Sequence, residues 1–202
     1  MMSGRVVGFI AAGVMAIVMT LAAFSIVIDS RRAPVLQSTG VATVGGPFTL
    51  VDTEGQEVTE KELLGKPSAV FFGFTFCPDV CPTTLFELTS LMEQLGSDAD
   101  RINFVFISVD AGRDGPEEMK QYLTAFDERI IGLTGTEDQI DAVTQAYKVY
   151  YARVPVEGGD YTMDHTASVL LMDASGQFFG TMAYEEAPEV MLAKLKRLID
   201  EG

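Results

Sequence analysis

The chain predicts an α/β domain with a mixed central sheet, and three observations carry that prediction. Two largely apolar runs, Ser68–Phe74 and Asn103–Val109, have the composition of strands covered on both faces. Segments with apolar residues at helical spacing follow each of them. The chain then closes with a turn-linked strand pair and one amphipathic helix, an order that mixes parallel and antiparallel neighbours.

The elements follow in order. PFTLVDTEGQEVT reads as a hairpin turning at Glu54-Gly55. Thr59–Leu64 has the length of one helical turn, ended by Gly65. After the first apolar strand, Pro82–Leu95 places Leu85, Leu88, Leu91, Met92 and Leu95 at helical spacing. Pro116–Phe126 puts Met119, Tyr122, Leu123 and Phe126 on one helical face. Ile130–Leu133 is a short strand. Thr136–Tyr147 is a helix with Thr136 as its cap and Gln139 three residues on, the pattern of a capping box. Val149–Val154 and Tyr161–Asp164 read as extended. Ala167–Met172 and Gln177–Met182 form a hairpin around Ala174-Ser175-Gly176, and Pro188–Ile199 is the closing helix. This succession matches a thioredoxin-like topology, with a helix and strands inserted before the last hairpin.

A different segment precedes the domain. Val6–Ile28 carries no charge over about 23 residues, where about 20 span a bilayer. Its length favours an uncleaved anchor over a signal peptide, whose apolar core is shorter. The expected organisation is a membrane anchor over 1–32 with its transmembrane helix at about residues 6–28, a linker over 33–45 and the folded domain over 46–202. Arg5 on one side and Arg31 and Arg32 on the other leave the positive-inside rule undecided.

Charge excludes one class of partner. Of 29 acidic and 14 basic residues, all but Asp29 and the arginines at 5, 31 and 32 lie beyond residue 32. So acidic a domain is not built to neutralise phosphates, and nucleic acid is not an expected partner. A domain of this length buries a core without covalent staples, so its two cysteines are not needed for stability.

Those cysteines, Cys77 and Cys81, lie in GFTFCPDVCPTTL, after a buried strand and at the start of a helix. Sheets of this class bind ligands beyond the C-terminal ends of their strands. Pro82 suits the first helical position, which places Cys81 near the cap, where the helix dipole favours thiolate. Three residues separate the pair, where thioredoxin-type redox motifs have two. The residues alone leave a disulfide, a redox pair and a metal clip open. A disulfide across so short a loop stabilises little. Two thiolates favour a soft ion such as Cu(I), or zinc, for which two sulfurs are an incomplete set.

His165 is the sole histidine in the chain. It precedes the expected strand Ala167–Met172, and in a thioredoxin-like sheet that loop faces the cysteine loop. Two thiolates and an imidazole suit Cu(I) or Cu(II). Asp164 is a candidate to orient the imidazole. Met163 is a possible axial ligand, read instead as a packing residue on the ground that adjacent strand residues point to opposite faces.

GFTFCPDVCPTTL, SVDAGRDGPEEMKQYL, GLTGTEDQIDAVTQAYKVYY and DYTMDHTASVLLMDASGQFF together resemble the SCO/SenC family of copper proteins, from about Gly45 to the C-terminus. The resemblance implies a thioredoxin-like fold and a copper ion, Cu(I) or Cu(II), held by Cys77, Cys81 and His165. It implies a chaperone that helps assemble the dinuclear copper site of cytochrome c oxidase subunit II, or supplies another copper-acquiring protein. The domain would then face the periplasm of a bacterium or the mitochondrial intermembrane space. An N-terminus without an Arg- and Ser-rich transit segment favours the bacterial cytoplasmic membrane. One departure stands out: the family commonly reads G-F-T-H-C, and Phe76 occupies the histidine's place. The rival functions are a thiol–disulfide reductase using Cys77 and Cys81 as its redox pair, and a copper or redox sensor. A peroxiredoxin-type peroxidase needs Thr or Ser three residues before the attacking cysteine, and here those positions are Phe74 and Pro78.

Overall fold

The computed structural model describes residues 43–202. Among the described residues there are nine strands: β1 (Thr49–Asp52), β2 (Glu57–Thr59), β3 (Ser68–Gly73), β4 (Asn103–Ser108), β5 (Ile130–Thr134), β6 (Tyr151–Pro155), β7 (Tyr161–His165), β8 (Val169–Met172) and β9 (Phe178–Met182). Four α-helices accompany them: α1 (Val80–Leu95), α2 (Pro116–Leu123), α3 (Glu137–Tyr147) and α4 (Pro188–Glu201). Seven strands form one sheet in the order β2-β1-β5-β4-β3-β8-β9, while β6 and β7 form a separate two-stranded sheet. The central pairs β3–β4 and β4–β5 are parallel, and the flanking pairs are antiparallel. This is the mixed, thioredoxin-like α/β arrangement expected from the order of elements.

The sheet is a sandwich filling between helical layers. Every residue of β3 is buried, because β4 and β8 flank its edges and helices cover its faces. Successive side chains take opposite faces. Phe71 stacks on Phe106 of β4, which in turn meets Tyr122 of α2. Phe72, one residue on, meets Tyr147 of α3 instead. Helix α1 packs against α4, burying Leu85, Leu88, Leu91, Met92 and Leu95, the residues its periodicity singles out.

Local signals account for most boundaries. In the β1–β2 turn, Asp52 Oδ1 accepts from the amides of Glu54 and Gln56, and Gly55 takes the left-handed φ of +75° that the turn demands. The Thr59–Glu62 and Thr136–Gln139 pairs both close capping boxes, the first on a single 3-10 turn at Glu60–Leu63. Val44 packs against the core, and the Gly45 amide donates to the Ala146 carbonyl (3.0 Å), so the residues just before 46 already lie on the domain.

Four expectations change. Helix α1 begins at Val80, two residues before Pro82, so Cys81 lies inside the first turn rather than at the cap. Pro82 remains compatible, because first-turn amides have no intrahelical acceptor. Helix α2 stops at Leu123, and Thr124–Phe126 continue as a turn in which Phe126 still meets Phe86 at 4.8 Å. A 3-10 helix at Gly96–Arg101 has no counterpart in the apolar pattern, being almost wholly polar. His165 is the last residue of β7, not part of a loop. Among the described residues no helix is long and apolar enough to cross a membrane. The span expected at residues 6–28 and nearly all of the expected linker lie outside them.

The parallel pairing of β3 and β4 positions the site. Its register runs to Gly73↔Ser108, and the Val109 amide donates to the Gly73 carbonyl (2.8 Å). The loops leaving the two C-terminal ends therefore lie side by side. Gly73 is needed for space: a Cβ there would lie 2.8 Å from Cys81 Sγ and 2.8 Å from the Phe106 ring. Gly73→Ala should lower stability by about 1–3 kcal/mol through overpacking. Urea denaturation checks this as a lower midpoint at unchanged slope; an unchanged midpoint would show slack under α1.

Candidate metal centre

Cys77, Cys81 and His165, the three residues singled out by the sequence, meet at one point: their donor atoms all lie within 4.8 Å of one another. Cys77 comes from the loop after β3, Cys81 from the first turn of α1, and His165 from the end of β7. Both cysteines are free thiols. Cys77 is half-buried and Cys81 fully buried. An open cleft of about 190 Å³ leads to the group, walled by residues 77–80 on one side and residues 162–165 on the other.

The two sulfurs are not equivalent. The nominal N-cap of α1, Asp79, makes no side-chain cap hydrogen bond. Instead Cys77 Sγ accepts from the Cys81 amide (3.3 Å), so a sulfur occupies the capping place at the positive end of the helix. Hydrogen bonding from the Cys81 thiol is the main cause that pulls the Cys77 thiol down to about 4, against the penalty of partial burial. The Asp79 amide adds to it. Cys81 is pushed the other way, by that same hydrogen bond, by burial and by the neighbouring Cys77 charge. The pair thus holds one thiolate, on Cys77, and one thiol, on Cys81. This corrects the expectation that the helix dipole would favour the thiolate on Cys81.

His165 is oriented from both ends. Its Nδ1 donates to the Thr166 carbonyl (3.0 Å), which leaves the Nε2 lone pair facing Cys81 Sγ at 3.4 Å. Phe71 and Phe74 present their rings edge-on at 6.1 Å and 5.9 Å, so the imidazole sits in an apolar slot. Asp164 points to solvent, and it is the Thr166 carbonyl that sets the tautomer. Met163 is buried in the core, as the packing reading holds. Burial rather than an opposite orientation accounts for it, since Met163 and His165 are two apart and share a face of β7. A metal–sulfur bond of about 2.3 Å places the donors of a three-coordinate ion about 4 Å apart, which the observed spacing accommodates.

A turn outside the expected site completes it. Asp114, buried, accepts from the Thr75 amide (2.9 Å), the Thr75 hydroxyl (2.6 Å) and the Ser108 hydroxyl (2.6 Å). It thereby ties the cysteine loop to the end of β4. Burial raises its carboxyl above the usual range, and these hydrogen bonds oppose that rise. Nearby, Arg113 pairs with Asp110 (2.5 Å) and lies over the rings of Phe76 and Tyr161. Phe76 itself is 59 % exposed. The only trace of this arrangement in the sequence is three charged residues at the end of a buried strand, a position where charge needs a partner.

A family profile described as SCO1/SenC matches residues 36–200. An SCO2-like protein of Rickettsia felis is 41 % identical over 155 residues, covering 76 % of this chain and 76 % of the relative. Protein SenC of Rhodobacter capsulatus is 36 % identical over 173 residues, covering 84 % and 78 %. Among solved structures, copper-bound ScoI of Bradyrhizobium japonicum superposes with a TM-score of 0.72 at 50 % identity, over 77 % of this chain and 99 % of that one. Copper-bound Sco1 of yeast gives a TM-score of 0.73 at 37 % identity, over 79 % and 90 %.

Two outcomes follow from this geometry. Cys77 should alkylate first, at a rate nearly flat from about pH 6 to about pH 8, where an ordinary thiol accelerates about tenfold per unit. Mass spectrometry after timed iodoacetamide treatment reads this, and equal labelling of both cysteines would contradict the assignment. Asp114→Ala strands the Thr75 amide and the Ser108 hydroxyl, and should cost about 2–4 kcal/mol in denaturation experiments.

Proposed function

The chain belongs to the SCO1/SenC family, and from that premise we propose that it is a copper-binding assembly factor for cytochrome c oxidase. It carries copper as cargo on Cys77, Cys81 and His165 and passes it to the dinuclear site of subunit II. The observation that carries this reading is the meeting of two sulfurs and one imidazole nitrogen within 4.8 Å, in a fold shared with copper-bound relatives. Soft thiolates suit Cu(I), and the imidazole extends the set to Cu(II).

The chain's own residues divide the work. Cys77, ionised and partly exposed, meets the incoming ion first. Cys81 gives up its proton as the ion arrives, and His165 binds through an Nε2 that needs no change of tautomer. Three donors beside an open cleft leave room for a recipient's thiol or imidazole to enter and exchange ligands one at a time. Phe76, exposed beside Cys77, gives the recipient an apolar contact where the family commonly has histidine. The charge-free run at residues 6–28 supports a single-pass anchor over 1–32, with a linker over 33–45 carrying the 46–202 domain on the periplasmic side of a bacterial cytoplasmic membrane.

A second reading, reduction of the recipient's disulfide before metal arrives, is favoured by the Cys77 thiolate. That thiolate attacks one sulfur of the target to form a mixed disulfide. Cys81 then displaces it, leaving the target dithiol reduced and Cys77–Cys81 oxidised. Sensing of copper or redox state through a partner uses the same residues.

His165→Ala separates these readings. It should weaken copper binding by about tenfold or more while leaving disulfide reduction intact. Full copper affinity in that variant would remove the three-donor site. Deleting the gene should lower oxidase activity, with rescue by added copper; unchanged activity would favour sensing. Binding should also release about one proton per copper, from Cys81, so that affinity rises about tenfold per pH unit near neutrality. Calorimetry in buffers of different ionisation enthalpy reads the proton count, and a count of two would contradict the Cys77 thiolate.

A further inference from the structure

The hairpin that carries His165 is not a strand pair of the main sheet. β6 and β7 bond to each other, and their register ends at Tyr151↔His165. Something else must set the distance between His165 and the cysteine loop. On β7, Tyr161, Met163 and His165 alternate onto one face. Met163 is sunk in the core and His165 faces Cys81, so Tyr161 is the third anchor of that face.

Tyr161 is gripped from several sides. The Arg113 guanidinium lies 3.8 Å from its ring centroid, and that of Arg153 lies 4.3 Å away. Its hydroxyl donates to Asp110 Oδ1 (2.8 Å), and its carbonyl accepts from Arg113 Nη1 (3.0 Å). Arg113 Nε donates to the other oxygen of Asp110 (2.5 Å), whose side chain is completely buried. The same guanidinium covers Phe76, the residue before Cys77, at 4.7 Å. Arg113 Nη2 is buried without a hydrogen-bond partner, as expected of a guanidinium held by aromatic faces. One side chain therefore touches the neighbour of the first donor and the fourth residue before the third.

We propose that Arg113 is a positioning residue for the metal centre: by tying Tyr161 to Asp110 and stacking on both the Tyr161 and Phe76 rings, it holds the hairpin where His165 Nε2 reaches the sulfurs. The proposal rests on the copper reading for its consequence, though not for the clamp itself. Arginine is required because a planar fork both stacks on the rings and bonds Asp110 and the Tyr161 carbonyl together. Lysine keeps the charge and loses the stack. Asp114, the next residue, fixes the cysteine loop through Thr75. The turn Asp110–Asp114 thus brackets both sides of the cleft.

The test is a double-mutant cycle in the full-length protein with copper as the probe. Arg113→Met should weaken copper binding about tenfold or more when His165 is present, and less than about twofold in the His165→Ala background. With Cu(II), the variant should lose imidazole-nitrogen coupling in electron paramagnetic resonance while keeping its sulfur charge-transfer band. Arg113→Lys should recover only part of the coupling. Equal losses in both backgrounds, or unchanged nitrogen coupling, would overturn the proposal. Hydrogen exchange of residues 151–165 in the copper-free protein reads the clamp independently. Exchange should accelerate in Arg113→Met and in Tyr161→Leu, the second variant guarding against misfolding of the first. Unchanged exchange in both overturns the clamp. A parent protein that binds no copper would instead remove the copper reading and leave the exchange result to decide the clamp.

Discussion

The parallel pairing of β3 with β4 is the constraint on which the rest of this structure depends. Parallel neighbours deliver their following loops to the same edge of the sheet. With Gly73 opposite Ser108, the loop bearing Cys77 and the turn Asp110–Asp114 leave side by side. Asp114 can then hold Thr75, and Arg113 can cover Phe76. A shift of one residue in that register would turn Phe71 and Phe72 to the wrong helical layers and separate the two loops. The apolar, fully buried character of β3 makes such a shift costly, so a feature of the core secures the chemistry at the rim.

The electrostatics of the centre follow from one helix terminus shared by two sulfurs. A single thiolate is stable there chiefly because the Cys81 thiol hydrogen-bonds to it, with the backbone amides of the helix start adding smaller contributions. Two adjacent anions in a half-buried cleft would repel each other, so the buried sulfur keeps its proton. The result is asymmetric: an accessible, ionised Cys77 and an inner, protonated Cys81. The same asymmetry suits both proposed activities, metal capture and thiol exchange, which is why both readings converge on these residues. His165 separates them, since only metal binding requires a third donor.

Much of this was legible in one dimension. Strand and helix identities follow from periods of two and 3.6, and the capping boxes at Thr59 and Thr136 are local patterns that the structure reproduces. That Cys77, Cys81 and His165 belong to one candidate site was also legible, because cysteines and a sole histidine are rare enough for their types to narrow the chemistry. Boundaries were less so. Helix α1 takes in Val80 and Cys81 because a sulfur, which no capping preference describes, substitutes for the usual oxygen acceptor. The 3-10 helix at Gly96–Arg101 is polar and leaves no apolar trace.

By itself, then, the sequence determined the order of elements and the buried strands, since these rest on composition and short-range spacing, and its residue types together with the family resemblance singled out the three residues that meet at the candidate centre. Only the tertiary structure decided which cysteine carries the charge, that His165 ends a strand, and that Asp110, Arg113, Asp114 and Tyr161 hold the two sides of the cleft together. The physical reason is distance along the chain. Hydrogen bonds such as Thr75 to Asp114 and Tyr161 to Asp110 join residues 39 and 51 positions apart. A charge at the end of a strand does not name its partner until the chain has folded around it.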